Sequence, residues 1–380
     1  MSSISWLDTS ATDERRMREI VRLFSDVSTL DDLGIGQVRD GLGDLMFPGT
    51  STLHTRPRYF AIIPWIFQRA AKKSTGTELV SKARLEERKL IEVLRTPPAV
   101  DGMIGKVAGK TVRVLPSQIY WSALQRYGIL CDPKSYTWDV PVSPPADFPA
   151  SLESGLDMTE DEAQWFRERI LVTCPGSYLA HLFADGLDDD PTEAALPWTH
   201  PALVQASDDI KSVVEHARLF SLTINGAALV YNLIVAERYD QLAAGDESYV
   251  ESYRDALAEW AEELELNREA LSGWDLNDFW ATVLRGRERN PVGPATKLFV
   301  DDWIARVRAQ DAHDVASSSE IRTMITERER KNKGESSRLN NDRLIKNWRG
   351  ASGAGRLNYR WGNVQRTLVD VREGLASASA

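Results

Sequence analysis

The sequence predicts a mainly α fold: a multi-helix protein with two helical domains, a basic helical C-terminal segment and few short strands. Three observations carry this expectation. Apolar residues recur at helical spacing through most of the chain. Pro, Gly, hydroxyl and acidic residues punctuate those stretches where helices start and stop. Strand character is confined to one short run, residues 111–114 (TVRV). The expected organisation is an N-terminal helical domain (1–131), a Pro-rich linker (132–156), a central helical domain (157–316) and a basic helical segment (317–380).

In chain order, residues 13–24 (DERRMREIVRLF) form an amphipathic helix, with Thr12 as cap and Met17, Ile20, Val21 and Phe24 on one face. Residues 34–70 are the most informative stretch and read as helix, tight turn, polar loop, helix. Val38, Leu42, Leu45 and Met46 share a face of the first helix, and Phe47-Pro48-Gly49 ends it, because Pro lacks a donor and Gly accepts φ > 0. The hydroxyls that follow are expected to cap the next helix, which Pro57 begins. Residues 59–67 are almost wholly apolar, so that helix is buried, with Pro64 as a kink. An amphipathic helix over 77–94 stops at Pro97-Pro98, and 101–108 reads as a further short helix. After the strand, residues 116–127 form a helix closed by Gly128.

Residues 132–156 are rich in Pro, Ser and Asp and read as an irregular connection. The central domain opens with a helix over 158–172, capped by Thr159, with Glu160, Asp161 and Glu162 in the first turn, where the helix dipole favours acids. Residues 185–197 are an acidic loop. Residues 208–241 give the longest helical signal, apolar all round at its centre, and are expected to be the hub. Helices over 247–271, 276–284 and 294–308 follow, with Trp260, Trp274 and Trp280 as core aromatics. Beyond 317, helices are expected over 321–333, 343–348 and 359–371, with GASGAG (350–355) as a flexible loop.

Composition narrows the function classes. The chain carries 46 Lys and Arg against 56 Asp and Glu, a net charge of −10, which argues against a protein wrapped along nucleic acid over its whole surface. The charge is uneven: residues 322–366 hold twelve Lys and Arg and four Asp and Glu, a local +8. Two cysteines, Cys131 and Cys174, exclude a disulfide framework and a Cys-based zinc site, and they fit a reducing cytoplasm. The N-terminal residues lack the basic and apolar regions of a signal peptide. Residues 219–236 are uncharged, but Ser221, Thr223, Asn225, Gly226 and Asn232 interrupt them. The run is shorter than the roughly 20 apolar residues a membrane span needs, so it reads as a core helix, with no membrane association expected.

Motifs that suggest catalysis dissolve on inspection. GKVAGKT (105–111) has three residues between its glycines where a phosphate-binding loop needs four, and strand-like residues rather than a helix follow. The histidines, His54, His181, His200, His216 and His313, are scattered and form no paired metal signature. The acid runs Asp31-Asp32 and Asp188-Asp189-Asp190 lack the Glu-x-Lys of a metal-dependent nuclease. No catalytic residue, metal site or cofactor is assigned.

Two binding candidates remain. Ser51, Thr52, His54, Arg56 and Arg58 precede a helix, a chemistry that suits a phosphate or other anion. The competing reading is structural: the hydroxyls cap the helix and the arginines pair with Asp40 or Asp44. The second candidate is the basic segment, with Arg338, Arg343, Lys346, Trp348, Arg349, Arg356 and Arg360, where cations and rings together suit phosphates and bases. Its competing reading is a face that docks on acidic surface. A helix-turn-helix-like reading of 77–127 offers only Gln118, Gln125 and Arg126 as base readers.

Four motifs together, SWLD (5–8), FPGTSTLHTRPRYFAIIPW (47–65), RVLPSQIYW (113–121) and GRLNYRW (355–361), resemble an uncharacterised bacterial family of unknown function across essentially the whole chain. The resemblance implies a genomic context in phage-defence islands, beside helicases, methyltransferases and phospholipase-D-like proteins. It implies no activity. The expectation is therefore a cytoplasmic, non-catalytic subunit of an antiphage system that binds one of those proteins, or DNA or RNA. A nuclease or nucleotide-processing effector with a cryptic site, and a self-assembling architectural protein, are the alternatives.

Overall fold

The computed structural model describes residues 31–96, 100–152, 154–242, 249–309 and 312–377. Among them the chain forms fourteen α-helices: α1 (Gly36–Met46), α2 (Tyr59–Ala71), α3 (Gly76–Arg95), α4 (Pro116–Arg126), α5 (Glu160–Thr173), α6 (Tyr178–Asp185), α7 (Asp208–Leu242), α8 (Val250–Leu266), α9 (Arg268–Gly273), α10 (Leu276–Arg285), α11 (Pro294–Ala309), α12 (Ser319–Lys333), α13 (Asp342–Lys346) and α14 (Trp361–Ala376). The only sheet among the described residues is an antiparallel ribbon of β1 (Leu130–Asp132) and β2 (Thr137–Trp138). The fold is mainly α, as expected. The helix at 13–24 and the SWLD motif lie outside the described residues.

Side-chain caps start several of the helices, α5, α6, α10, α12 and α13 among them. Thr159 accepts from Glu162 N while Glu162 Oε2 takes Thr159 N, a reciprocal cap that starts α5. Three local readings need correction. Residues 101–108 form turns, because Gly102 and Gly105 sit at φ +71° and +88°, outside any right-handed helix. Residues 109–111 form a 3-10 turn, and no strand follows because 112–114 find no pairing partner among the described residues. Helix α6 is not expected from the sequence; it is only eight residues long, with Tyr178, Leu179, Ala180, Leu182 and Phe183 buried.

The chain divides into two compact units made of discontinuous segments, whereas the sequence reading draws borders at 131, 157 and 317. One unit comprises Gly43–Val214 and Asn358–Ala380. Its core is aromatic: Phe60 stacks on Phe166 at 4.9 Å, and Tyr120 and Tyr127 meet Phe60 at 5.0 and 5.3 Å. Helix α14 lies along α5, and Gly374 permits the approach, since a Cβ there would stand 2.8 Å from Ala163 Cβ. Residues 132–156 pack inside this unit rather than bridging domains: Trp65 Nε1 donates to Val142 O, and Phe148 is buried edge-on against Trp65.

The other unit comprises Met1–Leu42 and Glu215–Leu357. Its axis is the part of α7 after residue 214. Trp260 and Trp303 donate their indole protons to Leu222 O and Thr223 O. An apolar window of α7 meets the length and composition of a membrane span, but 89% of it is buried inside the protein. The polar residues that interrupt it have work in the core. Ser221 donates to Leu357 O, Asn225 to Ala354 O, and Asn232 both donates to Ser352 O and accepts from Ser352 N. The stretch expected to be a flexible loop is therefore pinned along α7 by Asn225 and Asn232, and Ser221 holds Leu357 just beyond it.

Candidate functional site

The loop between α1 and α2 builds the first candidate site, all within one unit. Its hydroxyls do not cap α2: Arg58 occupies the cap position with no side-chain cap bond. Instead Thr50 Oγ1 donates to Phe47 O, and Ser51 Oγ accepts from Leu53 N, so both close turns. Thr52 is exposed. Tyr120 Oη then saturates the loop, accepting from Thr55 N and Arg56 N and donating to Arg56 O.

Both arginines are consumed. Arg58, 0% exposed, donates to Gly155 O and Glu162 Oε1 at 2.9 Å each. Its Nε stands 2.8 Å from Glu162 Oε2, close enough for an ion pair though not aligned as a hydrogen bond. Arg56 donates to Asp370 Oδ2 at 2.6 Å, Asp157 Oδ1 at 2.5 Å and Asp101 O at 3.1 Å. Burial raises the Asp370 carboxyl to about 6, against the pull of Arg56. The expected partners Asp40 and Asp44 are not the ones used. The acids come from α5, α14 and a turn at 157, far off in sequence. The arginines thus hold the fold and are not available to an anion, which corrects the phosphate-site reading at these positions.

What the loop does create is a cleft. It is small, with about 20 Å³ of free volume, room for roughly one water, and Phe60, Tyr127, Phe166 and Phe183 are among its walls. His54 lines it and is 9% exposed. Burial lowers its pKa to about 4, so the imidazole is neutral at pH 7 and brings no positive charge. The ring stacks on Tyr120 at 4.3 Å and bonds the carbonyl of Ile119, while Nε2 is buried without a hydrogen-bond partner. Asn363 of α14 ties the loop from the other side, donating to His54 O at 2.6 Å. Nothing in the sequence pairs residue 363 with residue 54.

The basic segment is divided between the two units. In the unit that contains most of α7, Arg338 is buried, its Nη1 3.0 Å from Tyr231 Oη and 3.6 Å from Asp32 Oδ2. Lys333 also pairs with Asp32, Arg322 with Glu237, and Arg356 with Glu263. Arg328 spends its guanidinium on the carbonyls of Leu33, Gly34 and Ala295. Trp348 is buried among Tyr239, Tyr249 and Tyr253. In the other unit Arg360 binds Asp44 and Thr50 O, and Tyr359 and Trp361 are buried. The rings are therefore core, which corrects the expectation that they stack bases. Four cations differ. Arg330, Arg343, Lys346 and Arg349 are exposed, and no carboxylate lies within ion-pair distance of them among the described residues; the last three cluster at residues 343–349.

Other sequence features resolve as structure. Lys110 N of the GKVAGKT run donates to Glu92 Oε1. Gln118 accepts from Leu115 N at the start of α4, so it closes a turn. Among the described residues no group of three His, Cys, Asp or Glu side chains is placed to hold a metal.

No curated protein matches the chain, and no solved structure matches it. A family model described as a family of unknown function, DUF6361, matches residues 1–141 and 131–374. The two matches together cover nearly the entire sequence, including the loop at 50–58, α7 and the basic segment, and the chain therefore belongs to the DUF6361 family of unknown function.

Proposed function

We propose that this protein is a non-catalytic helical subunit of a bacterial antiphage system, cytoplasmic, that contacts nucleic acid through Arg343, Lys346 and Arg349. One observation carries the reading. In a segment where most other cations are matched to internal carboxylates or carbonyls, these three are exposed and unmatched. Arg343 and Lys346 are three residues apart on α13 and share a face. With Trp348, Tyr359 and Trp361 buried, the contact is to phosphates, so it is sequence-independent and salt-sensitive.

The test is an electrophoretic shift with duplex and single-stranded oligonucleotides at low salt. The reading expects binding that weakens with salt and is lost in the triple variant Arg343→Glu, Lys346→Glu, Arg349→Glu. An acidic protein partner is the competing source of the same charge complementarity. It would show as absence of any shift together with charge-dependent capture of a helicase, methyltransferase or phospholipase-D-like protein from the same operon.

A further inference from the structure

We infer that the ring cluster of Phe67, Trp121, Tyr136 and Trp138 is a binding surface for single-stranded nucleic acid, whose bases stack on the rings. The cluster belongs to the unit made of Gly43–Val214 and Asn358–Ala380, so it is separate from the proposed contact through Arg343, Lys346 and Arg349.

Three elements bring the rings together. Phe67 of α2 is 3% exposed and forms the floor. Tyr136, in the turn between β1 and β2, lies nearly parallel to it with centroids 5.5 Å apart, and is half-buried. Trp121 of α4 and Trp138 of β2 stand at 86° to each other, 6.0 Å apart, and both are half-buried. The backbone at Tyr136 holds a left-handed φ of +53°, a conformation that a ring-bearing residue adopts where its surroundings impose it. The turn imposes it here: Asp132 accepts from Lys134 N and Ser135 Oγ, and Ser135 Oγ meets Thr137 Oγ1 at 2.7 Å. A tyrosine thus occupies a turn position that glycine would fill without strain.

Geometry and charge choose the ligand. Neighbouring rings of the cluster are 5.3–6.0 Å apart and touch one another. They leave no room for an ammonium group enclosed among them, and the ring surface still exposed suits a planar group laid against it. The surrounding chain is cationic: residues 67–138 hold thirteen Lys and Arg against six Asp and Glu, a local +7 in a chain of net charge −10. Lys134, in the same turn as Tyr136, and Lys72 and Lys73, which follow α2, are exposed, and no carboxylate lies within ion-pair distance of them among the described residues. Planar groups carried on a polyanion are the bases of a nucleotide strand. The strand is single, because the bases of a duplex are stacked on one another and closed to a protein ring.

The probe is an oligothymidylate of about twelve nucleotides, with an abasic strand of the same length as the phosphate-only control. Fluorescence anisotropy reads both strands on the full-length chain in which Arg343, Lys346 and Arg349 are all reversed to glutamate, so that the other proposed contact is removed. The thymidylate should bind about tenfold or more tighter than the abasic strand, the effect of one base stack. Tyr136→Gly, which suits the left-handed turn and deletes the ring, should weaken thymidylate binding about tenfold, and Tyr136→Phe should restore it. Lys134→Ala should reduce the salt slope by about 0.7. No thymidylate binding at low salt, equal affinity for the two strands, or affinity unchanged by Tyr136→Gly would each overturn the proposal. Should Tyr136→Gly fail to fold, Trp121→Leu and the comparison of the two strands decide it.

Discussion

Removing Glu162 isolates the most deeply buried charge in the loop-bearing unit. Arg58 is 0% and Glu162 3% exposed, and no other carboxylate reaches the Arg58 guanidinium among the described residues. Glu162→Ala leaves that guanidinium with one carbonyl partner, Gly155 O, and also frees Thr159 N at the start of α5. Breaking a buried pair from one side costs about 3–5 kcal/mol. In a folding unit of 150–250 residues that loss lowers the transition by about 6–20 °C. Differential scanning calorimetry of the full chain reads it. The double variant Arg58→Met, Glu162→Leu removes both charges and should lose less than Glu162→Ala alone, because no uncompensated charge remains. A loss below about 1 kcal/mol for Glu162→Ala is the size of a solvated surface pair and would refute the assignment of these residues to the interior.

Three further outcomes follow from buried groups. Glu87 accepts from Ser117 N and Ser117 Oγ, and burial raises its carboxyl from 4.5 to about 7. A raised acid binds its proton more tightly folded than unfolded, so its contribution falls as pH rises from about 4.5 to 7. Glu87→Gln should thus gain on the wild type across that window, and parallel melting curves at pH 5 and pH 7 would contradict it. His54 acts in the opposite sense: its lowered pKa means stability is present above 6.5 and lost as pH falls towards about 4, and His54→Phe should flatten that acid loss in calorimetric scans. Gly226 of α7 faces Trp260, where an added Cβ would stand 2.3 Å from Cζ2. Gly226→Ala should destabilise by about 1–3 kcal/mol despite alanine's better helix propensity, and a stabilised variant in urea denaturation would show that Trp260 is free to shift.

The fold was largely legible because its signals are local. The Thr159 and Glu162 cap and the apolar centre of α7 each act within a few residues of where they are read. The candidate site was legible in place but not in chemistry. The sequence locates the polar loop at 50–58, yet the acids that neutralise its arginines sit at 157, 162 and 370, and charge spacing carries no information about pairings that distant. The nearest acids, Asp40 and Asp44, were therefore the wrong partners to expect. Likewise a neutral histidine and a charged one have the same letter, and only burial separates them. Ser221, Asn225 and Asn232 looked like interruptions of an apolar run, but they are the clamps for residues 352–357. In the basic segment, composition cannot distinguish cations consumed by Asp32, Glu237 or Glu263 from those left exposed, such as Arg343, Lys346 and Arg349.

The salt dependence of oligonucleotide affinity tests the account at its centre. If Arg343, Lys346 and Arg349 each neutralise one phosphate, the slope of log affinity against log salt should shrink by about 2–3 when all three are reversed to glutamate. A slope identical in wild type and variant, or no binding to either oligonucleotide at low salt, would contradict the assignment of these three cations to nucleic-acid contact.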